Sequence, residues 1–270
     1  MSRFGFAFVL VAGSVIAFAQ SPKLPAAPSG DGKFEVVSIK PNNSGSRGTR
    51  IGVRGRQFLA ENMTALGLVT NAYRHETFRI VGAPDWMSSE RYDLTATADV
   101  ELNANFQGML KTVLAERFKL MAHTDTRTLQ TYALVLAARD GKLGPQLRHW
   151  TVDCETRRAN PSPTPTGAGQ TTVPTCGMRA GPGLYAAGGV SLATFAGSLA
   201  SDLNAVVRNQ TGLDGDFEIS LRWNPDAAAG DPALPSLFTA LQEQLGLKLE
   251  PTRAPVEVLV IDSVERPTPD

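Results

Sequence analysis

The stretch MTALGLVTNAY, residues 63–73, decides the first part of the fold. Its apolar and small side chains recur at the i, i+3, i+4, i+7, i+8 spacing that places residues on one face of a helix. They are Ala65, Leu68, Val69, Ala72 and Tyr73. Thr64 stands just before them and carries a hydroxyl that suits a helix N-cap. The stretch therefore predicts an amphipathic helix that begins after Thr64.

The same pattern recurs in the second half of the chain. Residues 190–200, VSLATFAGSLA, repeat the helical spacing, with Ser191 in the N-cap position. Further along, Tyr92 to Thr95 matches Phe217 to Ser220, and both alternate in the way that is typical of a half-buried strand. The region from 63 to 135 is thus predicted to recur from 190 to 261.

A second helix and two closing strands complete each copy. The apolar residues of these helices keep helical phase. They are Phe106, Met109, Leu110, Val113 and Leu114, and Leu234, Leu237, Phe238, Leu241 and Leu245. We predict an α+β fold of two tandem related units, each with the order strand, helix, strand, strand, helix, strand, strand. Residues 34–139 form the first unit, 140–180 a connector with few periodic apolar residues, and 181–267 the second unit.

The N-terminus is typical of an exported protein. Arg3 precedes an apolar run from Phe4 to Phe18, and small residues precede the predicted cleavage after Ala19. We expect a signal peptide over 1–19, a flexible linker over 20–33, an extracytoplasmic location, and no membrane insertion after cleavage. The 26 basic side chains balance the 26 acidic ones, so charge gives no reason to expect nucleic-acid binding.

The two cysteines, Cys154 and Cys176, are predicted to form a disulfide because export places them in an oxidising compartment. The bond closes a connector loop rich in Pro, Thr and Gly, and loop-closure entropy suggests roughly 3 kcal/mol of stabilisation. A metal pair or a reactive thiol is the alternative. The wide spacing of the two residues, with neither in C-x-x-C, argues against metal.

Several motifs resemble an acidobacterial family of secreted domains of unknown function. They span nearly all of the chain after the signal peptide and include residues 81–86, 91–94, 114–120, 132–135, 211–215, 221–223, 243–247 and 260–262. The resemblance implies many paralogues in soil bacteria and no established activity. It also implies relatives fused behind membrane metalloproteases of the beta-lactam-sensor type. The element order is similar, at the level of fold only, to the short N-terminal domain of secretins and TonB-dependent receptors, a periplasmic interaction module.

Catalytic and metal-binding motifs are incomplete in this sequence. His75-Glu76 begins a zinc-protease H-E-x-x-H motif, but its fifth position is Arg79. His123 and His149, the other histidines, lack i, i+4 spacing with any partner. We expect no metal, cofactor or catalytic residue, although a triad assembled from distant positions is recognised only by geometry.

Two features predict an interaction surface instead. Arg47, Arg50, Arg54 and Arg56 lie among glycines and indicate either a polyanion site or a mobile loop. Trp86 follows Pro84 in a predicted turn, where an aromatic side chain either binds a partner or packs over the sheet edge.

These observations favour a non-enzymatic extracytoplasmic binding or interaction module. Its partner is expected to be an envelope protein that makes sheet-edge or loop contacts. The first alternative is a hydrolase of envelope polymer or peptide with a site between the two units, which requires close carboxylates or a histidine-containing nucleophile pair. The second is a soluble ligand-sensing domain that works with a membrane protease.

Overall fold

A computed structural model describes residues 33–46, 48–102, 106–154, 176–226, 231, 233–268 and 270. The predicted signal peptide and the linker up to residue 32 lie outside this part of the chain. The described residues mix helices with several sheets, which confirms the α+β class. No helix among them has the length and apolar composition needed to cross a bilayer.

The α-helices in the described part of the chain are α1 (Ala65–Tyr73), α2 (Trp86–Ser89), α3 (Gln107–Arg117), α4 (Leu192–Leu203) and α5 (Leu237–Ala240), the last extended by a π-helical turn at Leu241–Leu245.

Both predicted N-caps are confirmed. The Thr64 side chain accepts a hydrogen bond from the Gly67 N–H at 3.0 Å, and the Ser191 side chain accepts one from the Thr194 N–H at 3.2 Å. Each hydroxyl satisfies an N–H that the first helical turn leaves unpaired.

The first sheet is antiparallel and contains strands from the first part of the chain. They are β1 (Phe34–Pro41), β2 (Arg50–Arg54), β3 (Gln57–Thr64) and β5 (Arg91–Ala98), in the spatial order β1-β5-β3-β2. Along β5 every second residue is buried, because the alternating side chains face the helices on one side and solvent on the other. The strands β1 and β2 form the two edges.

The second sheet has the matching order β7-β11-β9-β8. Its strands are β7 (Leu147–His149), β8 (Gly177–Gly181), β9 (Leu184–Ser191) and β11 (Asp216–Arg222). The strand β7 and nearly all of β8 lie in the range that the sequence predicts to be connector, residues 140–180. These strands have three and five residues, too few for alternation to mark them as strands.

A third sheet, the shared sheet, joins the two halves. Its order is β10-β6-β12-β4, with strands β4 (Ile80–Val81), β6 (Met121–Leu136), β10 (Val206–Asn209) and β12 (Leu247–Ser263). The long strands β6 and β12 run antiparallel from the Leu247–Leu136 pair to the Ile261–Ala122 pair. The sequence predicts two shorter strands in place of each long strand. This prediction is wrong, because the polar segment between the two apolar ends stays hydrogen-bonded to the adjacent long strand.

Two hydrophobic cores lie on the same face of the shared sheet. The first core packs α1 and α3 on the first sheet and includes Leu259 and Ile261 from one end of β12. The second core packs α4 and the π-helical turn on the second sheet and includes Leu247 and Leu249 from the other end. These four β12 residues are an even number of positions apart, so their side chains point to one face.

The predicted disulfide is confirmed. Cys154 and Cys176 are bonded, with their Cα atoms 5.7 Å apart. The loop that the bond closes, residues 155–175, lies outside the described residues.

Candidate functional site

The strand β2 is an exposed edge of the first sheet. All five of its residues are exposed, and Ile51 and Val53 each keep 39% of their surface accessible. These two residues pair directly with Ala60 and Phe58, which are fully buried. Paired residues on adjacent strands share a face. Ile51 and Val53 therefore lie on the core-facing side of the first sheet, beyond the part of that side that is buried.

The predicted arginines lie around this edge. Arg50 approaches Glu61 at 3.5 Å, and both side chains are exposed, so the pair contributes little to stability. Arg54 forms no ion pair with any described residue. Arg56 lies in the turn after β2, where its Nε donates to the Ala98 carbonyl at 2.8 Å. Arg47 lies outside the described residues.

The segment from 50 to 56 is a strand and a tight turn, so the mobile-loop interpretation is wrong for this part of it. Gly55 has φ of +59°, which a two-residue hairpin turn requires. The turn leads into β3, whose residues are largely buried or half-buried. The arginines on β2 are thereby fixed to a sheet.

A cavity of about 890 Å³, the sheet-end pocket, lies where β1 ends and β5 begins. Its lining mixes polar and apolar groups and comes from four separate parts of the chain. The lining residues are Pro41, Asn42, Asn43, Gly45, Ser46, Asn62, Ser89, Glu90, Arg91, Tyr92, Arg266 and Pro267.

Asn62 holds one wall of the sheet-end pocket in place. Its backbone has φ of +56°, at an irregularity in the pairing of β3 with β5. Its side-chain Nδ2 donates to the carbonyls of Ser46 at 2.8 Å and Gly48 at 2.7 Å. Its backbone N–H donates to Asp93 at 2.8 Å, and Asp93 also accepts from the Asn42 side chain at 2.7 Å. The loop that leads into β2 is thus tied to β3 and β5.

Another part of the pocket lining belongs to a stack of aromatic and charged groups. The Arg266 guanidinium lies 5.1 Å from the centre of the Trp86 ring and donates two hydrogen bonds to the Glu90 Oε1 atom, at 2.7 and 2.9 Å. Tyr92 donates its hydroxyl to Glu90 at 2.9 Å. These contacts attach the segment after β12 to the first sheet. Trp86 is therefore a half-buried packing residue beside the pocket.

The electrostatics of this stack follow from those contacts. The hydrogen bonds from Arg266, aided by the Tyr92 hydroxyl, hold the pKa of Glu90 below its usual range. Burial raises the pKa of Tyr92 to about 12, and its hydrogen bond to the Glu90 carboxylate adds to the shift. Glu90 is accordingly an anion and Tyr92 a neutral donor at neutral pH.

The histidines are separate from this site. His123 lies 2.9 Å from Asp262 on the exposed surface of the shared sheet, and His75 lies 3.8 Å from Glu257. Within the described ranges, no three His, Cys, Asp or Glu side chains are grouped so that they could hold a metal ion. A smaller cavity, lined by Gln130, Pro251, Thr252 and Arg253, has no carboxylate or histidine, so it gives the hydrolase hypothesis no support.

The structure divides the predicted surface into two parts. Arg50 and Arg54 lie on the edge strand β2, and Arg56 lies in the turn after it, with its side chain against Ala98 of β5 and Glu35 of β1, whereas Trp86 lies beside the sheet-end pocket. Sequence reasoning missed Ile51 and Val53 at the edge, although their alternation with Arg50 and Arg54 is a strand signal. It also missed the pocket residues, because they come from distant parts of the chain.

No curated protein matches the chain, and no solved structure matches it. A family profile matches residues 66–264, which take in the second core and most of the first. The chain therefore belongs to the DUF3738 family, whose members are described as proteins of unknown function.

Proposed function

We propose that this protein is a non-enzymatic extracytoplasmic binding module that captures an extended, acidic segment of a partner protein by strand addition to β2. The single observation that carries this proposal is the edge position of β2, with all of its residues exposed. An edge strand presents unpaired N–H and C=O groups on one side, and a partner strand satisfies them.

The side chains of β2 specify what the partner segment looks like. One face presents Ile51 and Val53, and the other presents Arg50 and Arg54. A segment that alternates apolar and acidic residues places its apolar side chains beside Ile51 and Val53. Its carboxylates then lie beside the two arginines, since cross-strand neighbours of opposite charge stabilise a sheet.

A second copy of this chain is a poorer occupant of the edge. Antiparallel pairing of two β2 strands places Arg50 of one copy opposite Arg54 of the other, and parallel pairing places each arginine next to its own counterpart. Like charges directly opposite each other destabilise a strand pair. The charge of the edge therefore favours a different, acidic partner.

The disulfide supports an extracytoplasmic location, because such bonds persist in oxidising compartments. The matching strand orders of the first and second sheets support an internal duplication as the origin of the fold. The strand β8 corresponds to β2 in this scheme. It is also an edge strand and carries the exposed side chains of Met178 and Arg179.

Site-specific crosslinking tests the proposal. A photo-reactive residue at position 53 is expected to crosslink a partner from an envelope extract, and mass spectrometry is expected to place the crosslink in an extended segment that alternates acidic and apolar residues. The matched control carries the photo-reactive residue at position 36, on the opposite edge strand β1, where Val36 is 65% exposed. Equal capture at both positions, or a crosslinked segment without acidic residues, contradicts the proposal.

A further inference from the structure

Arg91 lacks a charged partner in the described structure. It lines the sheet-end pocket and is half-buried. One of its terminal nitrogens, Nη1, donates to the Asn62 carbonyl at 2.8 Å. Among the described residues, no carboxylate lies within 4.0 Å of its guanidinium, since none of the ion pairs includes it. A partly desolvated guanidinium with spare N–H groups is able to hydrogen-bond an anion.

The two carboxylates nearest to Arg91 in the sequence, those of Glu90 and Asp93, already accept hydrogen bonds from other residues. Glu90 accepts its hydrogen bonds from Arg266 and Tyr92. Asp93 accepts from the Asn42 side chain and the Asn62 backbone N–H. Both groups are held by partners other than Arg91, so neither of them neutralises the charge of Arg91.

The remaining lining groups indicate what kind of anion fits. The side chains of Asn43 and Ser46 are exposed at the wall formed by the loop into β2, and they offer amide and hydroxyl groups. The volume of about 890 Å³ falls within the range of small-molecule sites. A guanidinium is able to bind a planar carboxylate through two parallel hydrogen bonds.

We propose that the sheet-end pocket binds the carboxylate of a small extracytoplasmic ligand, with Arg91 as the anion-binding residue and Asn43 at the rim. The ligand class is a small organic carboxylate, either a free organic acid or the C-terminal end of a short peptide. This site differs from the β2 edge in ligand and in residues, so either proposal stands if the other fails.

Titration calorimetry with matched probes tests the site. The probes are N-acetyl-trialanine with a free carboxylate, the same peptide as its amide, succinate, and inorganic phosphate. The peptide acid is expected to bind about tenfold or more tightly than the amide, because only the acid forms a charge-assisted pair with Arg91. Tighter binding of the peptide acid than of succinate identifies a peptide end as the source, and the reverse order identifies an organic acid. Equal binding of acid and amide, no binding of either carboxylate, or binding of phosphate as tight as that of carboxylate overturns the proposal.

Variants separate binding from folding. Arg91→Lys keeps the charge but loses the two-point geometry, and it is expected to weaken acid binding about tenfold.

Any change of Arg91 also affects its hydrogen bond to the Asn62 carbonyl. Two variants of the exposed Asn43 therefore provide a second test. Asn43→Asp is expected to weaken acid binding and Asn43→Lys to strengthen it, each about threefold or more at low salt. Arg179→Gln, on the exposed strand β8, is the control and leaves binding unchanged. Unchanged affinity in Arg91→Lys and in both Asn43 variants contradicts the assignment.

Discussion

Asn62 and Gly189 occupy the same position in the first and second sheets. Each has a positive φ, 56° and 68°, and each lies two residues before the hydroxyl residue that caps the following helix. Each also falls where the pairing with the neighbouring strand shifts register. The two positions differ in what they hold. The Asn62 side-chain amide hydrogen-bonds to the loop that leads into β2. Gly189 has no side chain, and this leaves room for Cys154 and Trp150.

Gly189→Ala is expected to destabilise the protein by roughly 2–4 kcal/mol. A Cβ at this position would lie 2.6 Å from the Cys154 Sγ and 3.0 Å from the Trp150 Nε1, and the positive φ adds strain. Denaturant unfolding measures the change in the free energy of unfolding. The matched control is Gly197→Ala in α4, where a Cβ meets nothing within 4 Å. That change is expected to be neutral or to stabilise the helix by about 0.5–1 kcal/mol. If the two substitutions change the free energy of unfolding equally, the disulfide does not pack on Gly189.

Asn62→Ala is expected to cost about 1–3 kcal/mol, because it removes two hydrogen bonds and leaves a β-carbon at positive φ without amide compensation. Asn62→Gly removes the same bonds without the strain and is expected to cost less. Limited proteolysis between residues 43 and 50 should accelerate in both variants. If Asn62→Gly matches the wild type in both stability and cleavage rate, the amide does not hold this loop.

The link between Glu90 and Arg266 predicts a specific acid sensitivity. The folded-state pKa of Glu90 is lowered by the hydrogen bonds from Arg266, so its contribution to stability is complete above the unfolded-state pKa of about 4.3. The contribution is lost as the pH falls through the folded-state pKa. Glu90→Gln is therefore expected to be less stable than the wild type at pH 7, with a difference that shrinks towards pH 3.

Chemical denaturation over a pH series measures this difference. The control is Glu265→Gln, since Glu265 is exposed and its side chain forms no ion pair with a described residue. A gap between wild type and Glu90→Gln that stays constant from pH 7 to pH 3 contradicts the predicted role of Glu90.

Local patterns predicted the elements whose signals lie within a short stretch of sequence. The helix after Thr64, the helix after Ser191 and the strand that includes Tyr92 all follow from periodicity and capping. The disulfide followed from the inferred compartment and the cysteine count. Each of these depends on a few neighbouring residues or on composition, which a single sequence contains.

Features that depend on pairing across long distances were not predicted. The two-residue strand β4 pairs with β12, and β10 pairs with β6. Nothing in the periodicity of Ile80 and Val81 indicates this partner. The sheet-end pocket has the same origin, since Asn42, Asn62 and Arg266 meet only after the first sheet and the segment after β12 have packed together.

The edge strand β2 was missed for a different reason. Its alternation of arginine with Ile51 and Val53 is a strand pattern, but the glycines around it are typical of a loop. Pairing with β3 outweighs that composition, and an amphipathic edge results. The proposed capture of a partner segment depends on this edge.

Amide hydrogen exchange of the full chain shows whether a partner strand adds to β2. The probe is an acetylated and amidated peptide of alternating glutamate and valine. We predict that it slows exchange of the backbone N–H groups in residues 50–54 and leaves residues 34–41 unchanged. The protection should disappear in the Ile51→Asp, Val53→Asp double variant. Equal protection of both edge strands, equal protection by a lysine and valine peptide, or no protection of β2 at saturating peptide would contradict strand addition at this edge.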